Sequence, residues 1–252
     1  MTGLLSACRL VSPGAFAPPA ALRDNSTVYR VTGFWGWPNP SRVQIGDFSM
    51  TAVNRDRAVS ATRYWGGQRT WAGRYLDVEA VGFDGLPVRV AVTDNVQAAD
   101  VDLLRLPTGR RGGTRWSVET MRTSDYTGTV LLGTDGALPP WHFMLFSNWQ
   151  RGMSADEVQG LLTDEHDLIT ITPAVSTEVV NTRTGQVARL PNFAGPMVIG
   201  FDFYEEDALI GHLNTSEGSL RVANVVPAQR RTLLCAVSVA LLKRRQAVRW
   251  AL

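Results

Sequence analysis

Ten residues near the C-terminus constrain this chain more than any other stretch. Leu233-Leu234-Cys235-Ala236-Val237-Ser238-Val239-Ala240-Leu241-Leu242 follows Pro227, a residue suited to the first turn of a helix. Wound as a helix, the segment is apolar around nearly its whole circumference. Such a helix has no face to offer water, so another layer must enclose it. Most of the preceding residues read as strands, which makes that layer a sheet. The sequence therefore predicts a mainly β protein, a many-stranded antiparallel barrel or sandwich with a buried C-terminal apolar helix.

Strand signals recur along the chain, with turn signals every 8–12 residues or so. The predicted strands are 27–32, 42–53, 57–65, 74–83, 86–93, 114–122, 127–134, 141–147, 168–172, 175–180, 186–190, 197–204, 208–213 and 219–226. In Val88-Arg89-Val90-Ala91-Val92 the alternation is explicit, with the valines on one face. Phe83-Asp84-Gly85-Leu86 and Thr134-Asp135-Gly136-Ala137 carry the Asp-Gly hairpin signal. Arg110-Arg111-Gly112-Gly113 and the aromatic stretch 33–40 read as turns. Ser154-Ala155-Asp156-Glu157 is a capping-box pattern that predicts a short helix through Leu162, with Val158, Leu161 and Leu162 as its apolar face.

The expected organisation is an extended N-terminal arm, 1–22, rich in Ala and Pro, followed by a single β-rich domain, 23–252, with a sub-boundary near 149–154. A net charge of +2 and scattered basic residues speak against a specific nucleic-acid partner. Lys243 is the one lysine beside 24 arginines. Codon usage accounts for that bias, and selection for bidentate anion contacts is the alternative. Cys8 and Cys235 form no disulfide framework, which fits a reducing compartment. Leu5-Ser6-Ala7-Cys8 resembles a lipobox, but no basic and long apolar region precedes it. No apolar run reaches the length of a transmembrane helix. The expected location is the cytoplasm, or a virion if the chain is an assembly subunit.

Constellations for chemistry are sparse. Asp164-Glu165-His166-Asp167 is the densest group of potential ligands, yet consecutive residues point in different directions, and a solvated loop explains it. His142, His166 and His212 are the three histidines. There is no nucleophile elbow, phosphate loop or His-Glu-x-x-His. The expectation is no catalytic residue, no metal and no cofactor. Trp35, Trp37, Arg63, Trp65, Arg69, Trp71 and Arg74 form the candidate binding region, because Trp and Arg on loops are common at contact surfaces.

Phe201-Asp202-Phe203-Tyr204, Ile210-Gly211-His212-Leu213, Pro227 and the helix Leu233–Leu242 together resemble the ending of the tubby C-terminal, LURP-one and phospholipid-scramblase superfamily. The likeness covers the last quarter of the chain. It implies a closed barrel of about a dozen strands around a C-terminal helix, and lipid or phosphoinositide binding or a scaffold role. Tubby-type phosphoinositide sites need clustered basic residues, and this chain has no lysine outside the last helix, so no site residue carries over. The functional expectation is a non-catalytic binding or scaffold barrel with a protein partner, self-assembly or a lipid headgroup as its contact. A structural subunit of a virion or phage tail is the alternative, suggested by the Pro-rich arm. A hydrolase whose site the sequence does not reveal is the second alternative.

Overall fold

Period-two burial builds the wall of this molecule. The computed structural model describes residues 14–33, 43–64, 67–106, 114–134, 138–150, 157–181, 186–189 and 197–249. Twelve antiparallel strands close into a barrel: β2 (Ser26–Thr32), β3 (Gln44–Ile45), β4 (Phe48–Tyr64), β5 (Gly67–Val81), β6 (Pro87–Leu106), β7 (Thr114–Leu132), β8 (Trp141–Gln150), β9 (Glu157–Thr163), β10 (Leu168–Ser176), β13 (Met197–Glu205), β14 (Ala208–Asn214) and β15 (Ser219–Ala223). Each pairs with its sequence neighbour except where β10 meets β13 and β15 returns to β2. A separate three-stranded sheet joins β1 (Gly14–Phe16), β11 (Glu178–Asn181) and β12 (Val187–Arg189).

The lumen holds one helix, α1 (Ala228–Arg249). A barrel of about eight strands is filled by side chains alone, and twelve leave space for a helix. Leu233, Leu234, Cys235, Ala236, Val237, Val239, Ala240, Leu241 and Leu242 are all at most 1% exposed. They pack against inward-facing residues such as Phe48, Val78, Val90, Val130, Leu145, Ile171, Phe203 and Leu213. The enclosed helix read from the sequence is the one observed. Burial pushes the Cys235 thiol pKa far above its usual range, so it behaves as a small core hydrophobe. Among the described residues, no helix is long and apolar enough to cross a membrane.

Three contacts fix the direction of α1. Near its start, Thr232 Oγ1 accepts a hydrogen bond from Phe83 N at 3.1 Å. There the wall comes so close that a Cβ on Gly82 would stand 2.2 Å from Thr232 Cγ2. Further along, Tyr126 Oη donates to Ala240 O at 2.7 Å. Further still, Lys243 lies beside Arg55 of β4. The helix thus enters at the end with the β5–β6 turn and runs toward the opposite mouth. At the entry end Arg230 lies 4.5 Å over the Trp141 ring and pairs with Asp167 at 2.6 Å and Glu205 at 3.3 Å. These carboxylates offset a cation placed at the positive end of the helix dipole.

The structure departs from the sequence reading in several elements. The segment with the capping-box pattern is not helical where it is described: Glu157–Thr163 is strand β9, paired with both β8 and β10. Leu162 and Gly160 face the core and Leu161 faces out, so the i, i+3, i+4 apolar set served two faces of a strand. Central pairing outweighed a local capping signal. Predicted strands 57–65 and 114–122 are not separate, because β4 and β7 continue through 17 and 19 residues. The first part of 42–53 is instead β3, set off by a turn at Gly46-Asp47. The Phe83–Leu86 turn is present, with Asp84 and Gly85 at φ 59° and 75°.

Residues 14–22 of the predicted arm are docked on their own barrel. β1 pairs with β11, Phe16 N donates to the Glu217 carboxylate, and the 3-10 turn Ala20–Leu22 packs on β14 and β15. Leu22 is 1% exposed and lies outside the main core cluster. Cys8, the lipobox-like residues and the Arg110–Gly113 turn lie outside the described residues.

Candidate functional site

Strand alternation separates the predicted binding residues. Trp35, Trp37 and Trp65 lie outside the described residues. Arg63, Arg69, Trp71 and Arg74 lie on strands β4 and β5 and not on loops. Directly paired residues of an antiparallel ladder share a face, and successive residues alternate. Arg74 is two residues from buried Leu76 and opposite Arg57, and Arg63 is opposite Gln68, so Arg63 and Arg74 face inward. Arg69 and Trp71 have the other parity and face outward, with Trp71 38% exposed. The structure does not gather these four into one platform.

The inner face is the more unusual of the two. β4 to β7 span 17, 15, 20 and 19 residues, while the remaining barrel strands have 2 to 10. The long hairpins therefore rise past the point where α1 reaches Lys243. From Arg57 to the end of β4 the rise is about 25 Å. By register the inner face carries Arg55, Arg57, Arg63, Arg74 and Arg122, and Asp94 and Asp100 lie among them. Lys243 adds a cation from the helix and is 5% exposed.

One row of this face crosses the strands as Arg57, Arg74, Asp94 and Tyr126. Arg74 Nη1 and Asp94 Oδ2 are 3.9 Å apart, an ion pair without a hydrogen bond. Asp94 Oδ1 accepts from Ser124 Oγ at 2.8 Å. Burial lowers the Arg74 pKa, Asp94 opposes that, and Arg57 reinforces it. Burial also lowers the Arg55 pKa. The Lys243 ammonium is pushed down to about 8, first by burial and then by Arg55. Cations are thus concentrated where solvent is partly excluded, the setting in which an anion gains most from Arg and Lys.

Sequence reasoning missed Arg55, Arg57, Asp94 and Lys243. The signal was present: Arg55, Arg57 and Arg63 share one parity of a strand. A loop assigned to 66–73 hid the pairing that makes the face.

Other candidates resolve into structural roles. Asp164 Oδ1 accepts from the backbone N–H groups of His166 and Asp167, a self-capped turn between β9 and β10. Burial is the largest single influence on the Asp164 pKa and raises it, but these two bonds, with the charges of Arg230 and His166, together lower it. Among the described residues no cluster of three His, Cys, Asp or Glu is arranged to hold a metal ion. His142 is exposed on the outer face of β8, with Nδ1 at 3.3 Å from Thr129 Oγ1, and does not sit beside the core. His212 lies within β14, buried, with Nδ1 at 2.6 Å from Asp202 Oδ1. Among the described hydrogen bonds, none joins His212 to a hydroxyl, so the pair ties β14 to β13. A shallow outer groove of about 570 Å³ runs past Tyr75, Thr93, Thr127, Met144 and Leu161, which follow one another in register.

No family model matches the chain, and neither a curated protein nor a solved structure is detectably similar to it.

Proposed function

We propose that this protein is a non-catalytic binding or scaffold barrel whose working surface is the basic inner face of the long β4–β7 hairpins. One observation carries the reading. Four adjacent strands extend past a barrel that is already closed and filled, and their inner face carries Arg55, Arg57, Arg63, Arg74 and Arg122. Closing the wall around α1 does not require that extension or that charge. The lumen is occupied by Leu233–Leu242, which leaves the mouth and the outer surface to meet a partner. An anionic partner fits this charge. A lipid headgroup is the form suggested by the likeness of residues 197–242 to the tubby, LURP-one and scramblase endings.

Vesicle co-sedimentation tests the reading. Vesicles of phosphatidylcholine should leave the protein in the supernatant, and vesicles with added phosphatidic acid should pellet it. Exchange of Arg63 and Arg122 for Glu should abolish the pelleting with the far-UV spectrum unchanged. Pelleting that survives this double exchange refutes the assignment of the surface. A structural subunit of a virion or phage tail is the second reading. The exposed strand β12, one of the two edges of its small sheet, favours it, because such an edge can pair with another chain. Light scattering of a defined multimer at micromolar protein would support that reading over the first.

A further inference from the structure

We propose that the barrel mouth contains a seat for a phosphate-class oxyanion, formed by Arg55, Arg57 and Arg74 of the wall and Lys243 of the helix. The inference rests on the reading that the basic inner face is the working surface, and it names the ligand chemistry and the residues.

Register places two cations face to face. Arg57 and Arg74 are direct cross-strand partners, and like charges in that position destabilise a ladder. Arg55 stands one step further along the same face of β4, beside Lys243. Four cations therefore converge on a region in which Asp94 is the described carboxylate of the same row. That carboxylate is shared: one oxygen takes the Ser124 hydroxyl, and the other lies 3.9 Å from Arg74. Arg74 Nη1 is buried and makes no hydrogen bond among the described residues. Arg55 and Lys243 have further contacts of their own, so the argument leans on the Arg57–Arg74 pair.

A buried guanidinium N–H without an acceptor is costly, and an opposed pair of guanidinium groups adds repulsion. A tetrahedral oxyanion resolves both. Its several acceptor oxygens match the planar forks of two arginines, and a dianion balances the excess of cations better than a carboxylate does. Arg57 is exposed while Arg74 is largely buried, so the seat has an open side and a closed side. The phosphate group of a soluble phosphoester and that of a lipid headgroup share this chemistry.

Calorimetric titration of the full chain with inorganic pyrophosphate at low salt tests the seat. The expected result is saturable binding that weakens about tenfold in Arg57→Gln, the scale of one charge-assisted contact. Arg57→Lys should recover part of the loss, since it restores the charge without the fork. Arg69→Gln, on the outer face of the same hairpin, should bind as the parent does. Arg57 and Arg69 are both exposed, and circular dichroism should show all three variants folded. Equal weakening by Arg57→Gln and Arg69→Gln overturns the seat, because diffuse charge would then suffice. Absence of pyrophosphate binding at millimolar concentration also overturns it.

The source of the phosphate follows from a competition. Pyrophosphate that releases the protein from vesicles containing phosphatidic acid assigns the seat to a headgroup. Pyrophosphate binding without vesicle binding assigns it to a soluble phosphoester. Vesicle binding that Arg57→Gln and pyrophosphate leave unchanged refutes the seat while the wider basic surface stands. If neither anion binds, both readings fall.

Discussion

Gly211 and Leu234 offer a direct measurement of whether α1 sits inside the wall. Gly211 lies on β14 and faces the helix, and a Cβ added there would stand 3.1 Å from Phe203 Cδ2 and 3.3 Å from Leu234 Cδ1. Its φ is not in the left-handed region, so Gly211→Ala acts through crowding alone. Overpacking by one methyl in a closed core costs about 1–3 kcal/mol. Leu234 is 0% exposed, and Leu234→Ala should cost about 2–5 kcal/mol through lost burial and the remaining cavity. The double variant is the informative one. Shortening Leu234 removes one of the two atoms that the new Cβ would crowd, and the Cβ fills part of the cavity. The two costs should then fall short of their sum by about 0.5–3 kcal/mol. Urea unfolding followed by intrinsic tryptophan fluorescence, to which buried Trp141 contributes, reports all four proteins. Additivity within about 0.5 kcal/mol would show that β14 and α1 do not touch at this point, and the enclosed-helix architecture would fail.

Leu22→Ala should cost about 2–4 kcal/mol and removal of residues 1–22 should lower the melting temperature by several degrees, because Leu22 is buried by the docked arm; an unchanged midpoint would mean that the arm is not held. Lys243 has a folded pKa of about 8 against an ordinary 10.5, so the unfolded chain binds more protons between these values and stability should rise with pH across that window. Lys243→Met should flatten that rise and stabilise the protein at pH 7 by about 2–3 kcal/mol, with denaturant midpoints at pH 7, 9 and 10.5 as the check. Trp71→Ala with Arg69→Ala should change stability by less than about 1 kcal/mol, because both side chains are on the outer face; a larger loss on chemical denaturation would place them in packing.

The fold was more legible in the sequence than the site, for a physical reason. Burial writes itself locally: a helix apolar on all sides states its own need for enclosure, and Val88, Val90 and Val92 state their face. Register does not. The assignment of 57–65 and 74–83 as strands left 66–73 as a loop, and that loop held Arg69 and Trp71. Once β5 starts at Gly67, parity alone separates Trp71 from Arg74. Segment 157–163 failed in a related way. Val158, Leu161 and Leu162 satisfy a helical spacing, but Gly160 sits beneath Leu145 and Ile171, where its missing Cβ leaves room for them. Only pairing with β8 and β10, which no local spacing within the segment reveals, decides that it is a strand.

Strand length and helix direction together account for where the charge gathers. α1 enters beside the β5–β6 turn, so its last turns must leave by the opposite mouth, and the sequence there is Lys243-Arg244-Arg245. The β4–β5 and β6–β7 hairpins extend toward that same mouth, and their inward parity carries Arg55, Arg57, Arg63, Arg74 and Arg122. Basic residues in the last turn of a helix are favoured by the dipole, but Lys243 lies six residues before the end of α1 at Arg249, where that effect has faded. Nor does it explain the wall. A sheet that only had to close around an apolar helix would carry neutral residues opposite Lys243, as the rows at Val78–Val90–Val130 do. The row at Arg57–Arg74 instead sets two cations against each other beside a third and a fourth. Codon bias toward arginine supplies the residue type but not the shared parity, and it is the shared parity that makes an anion the simplest account of this face.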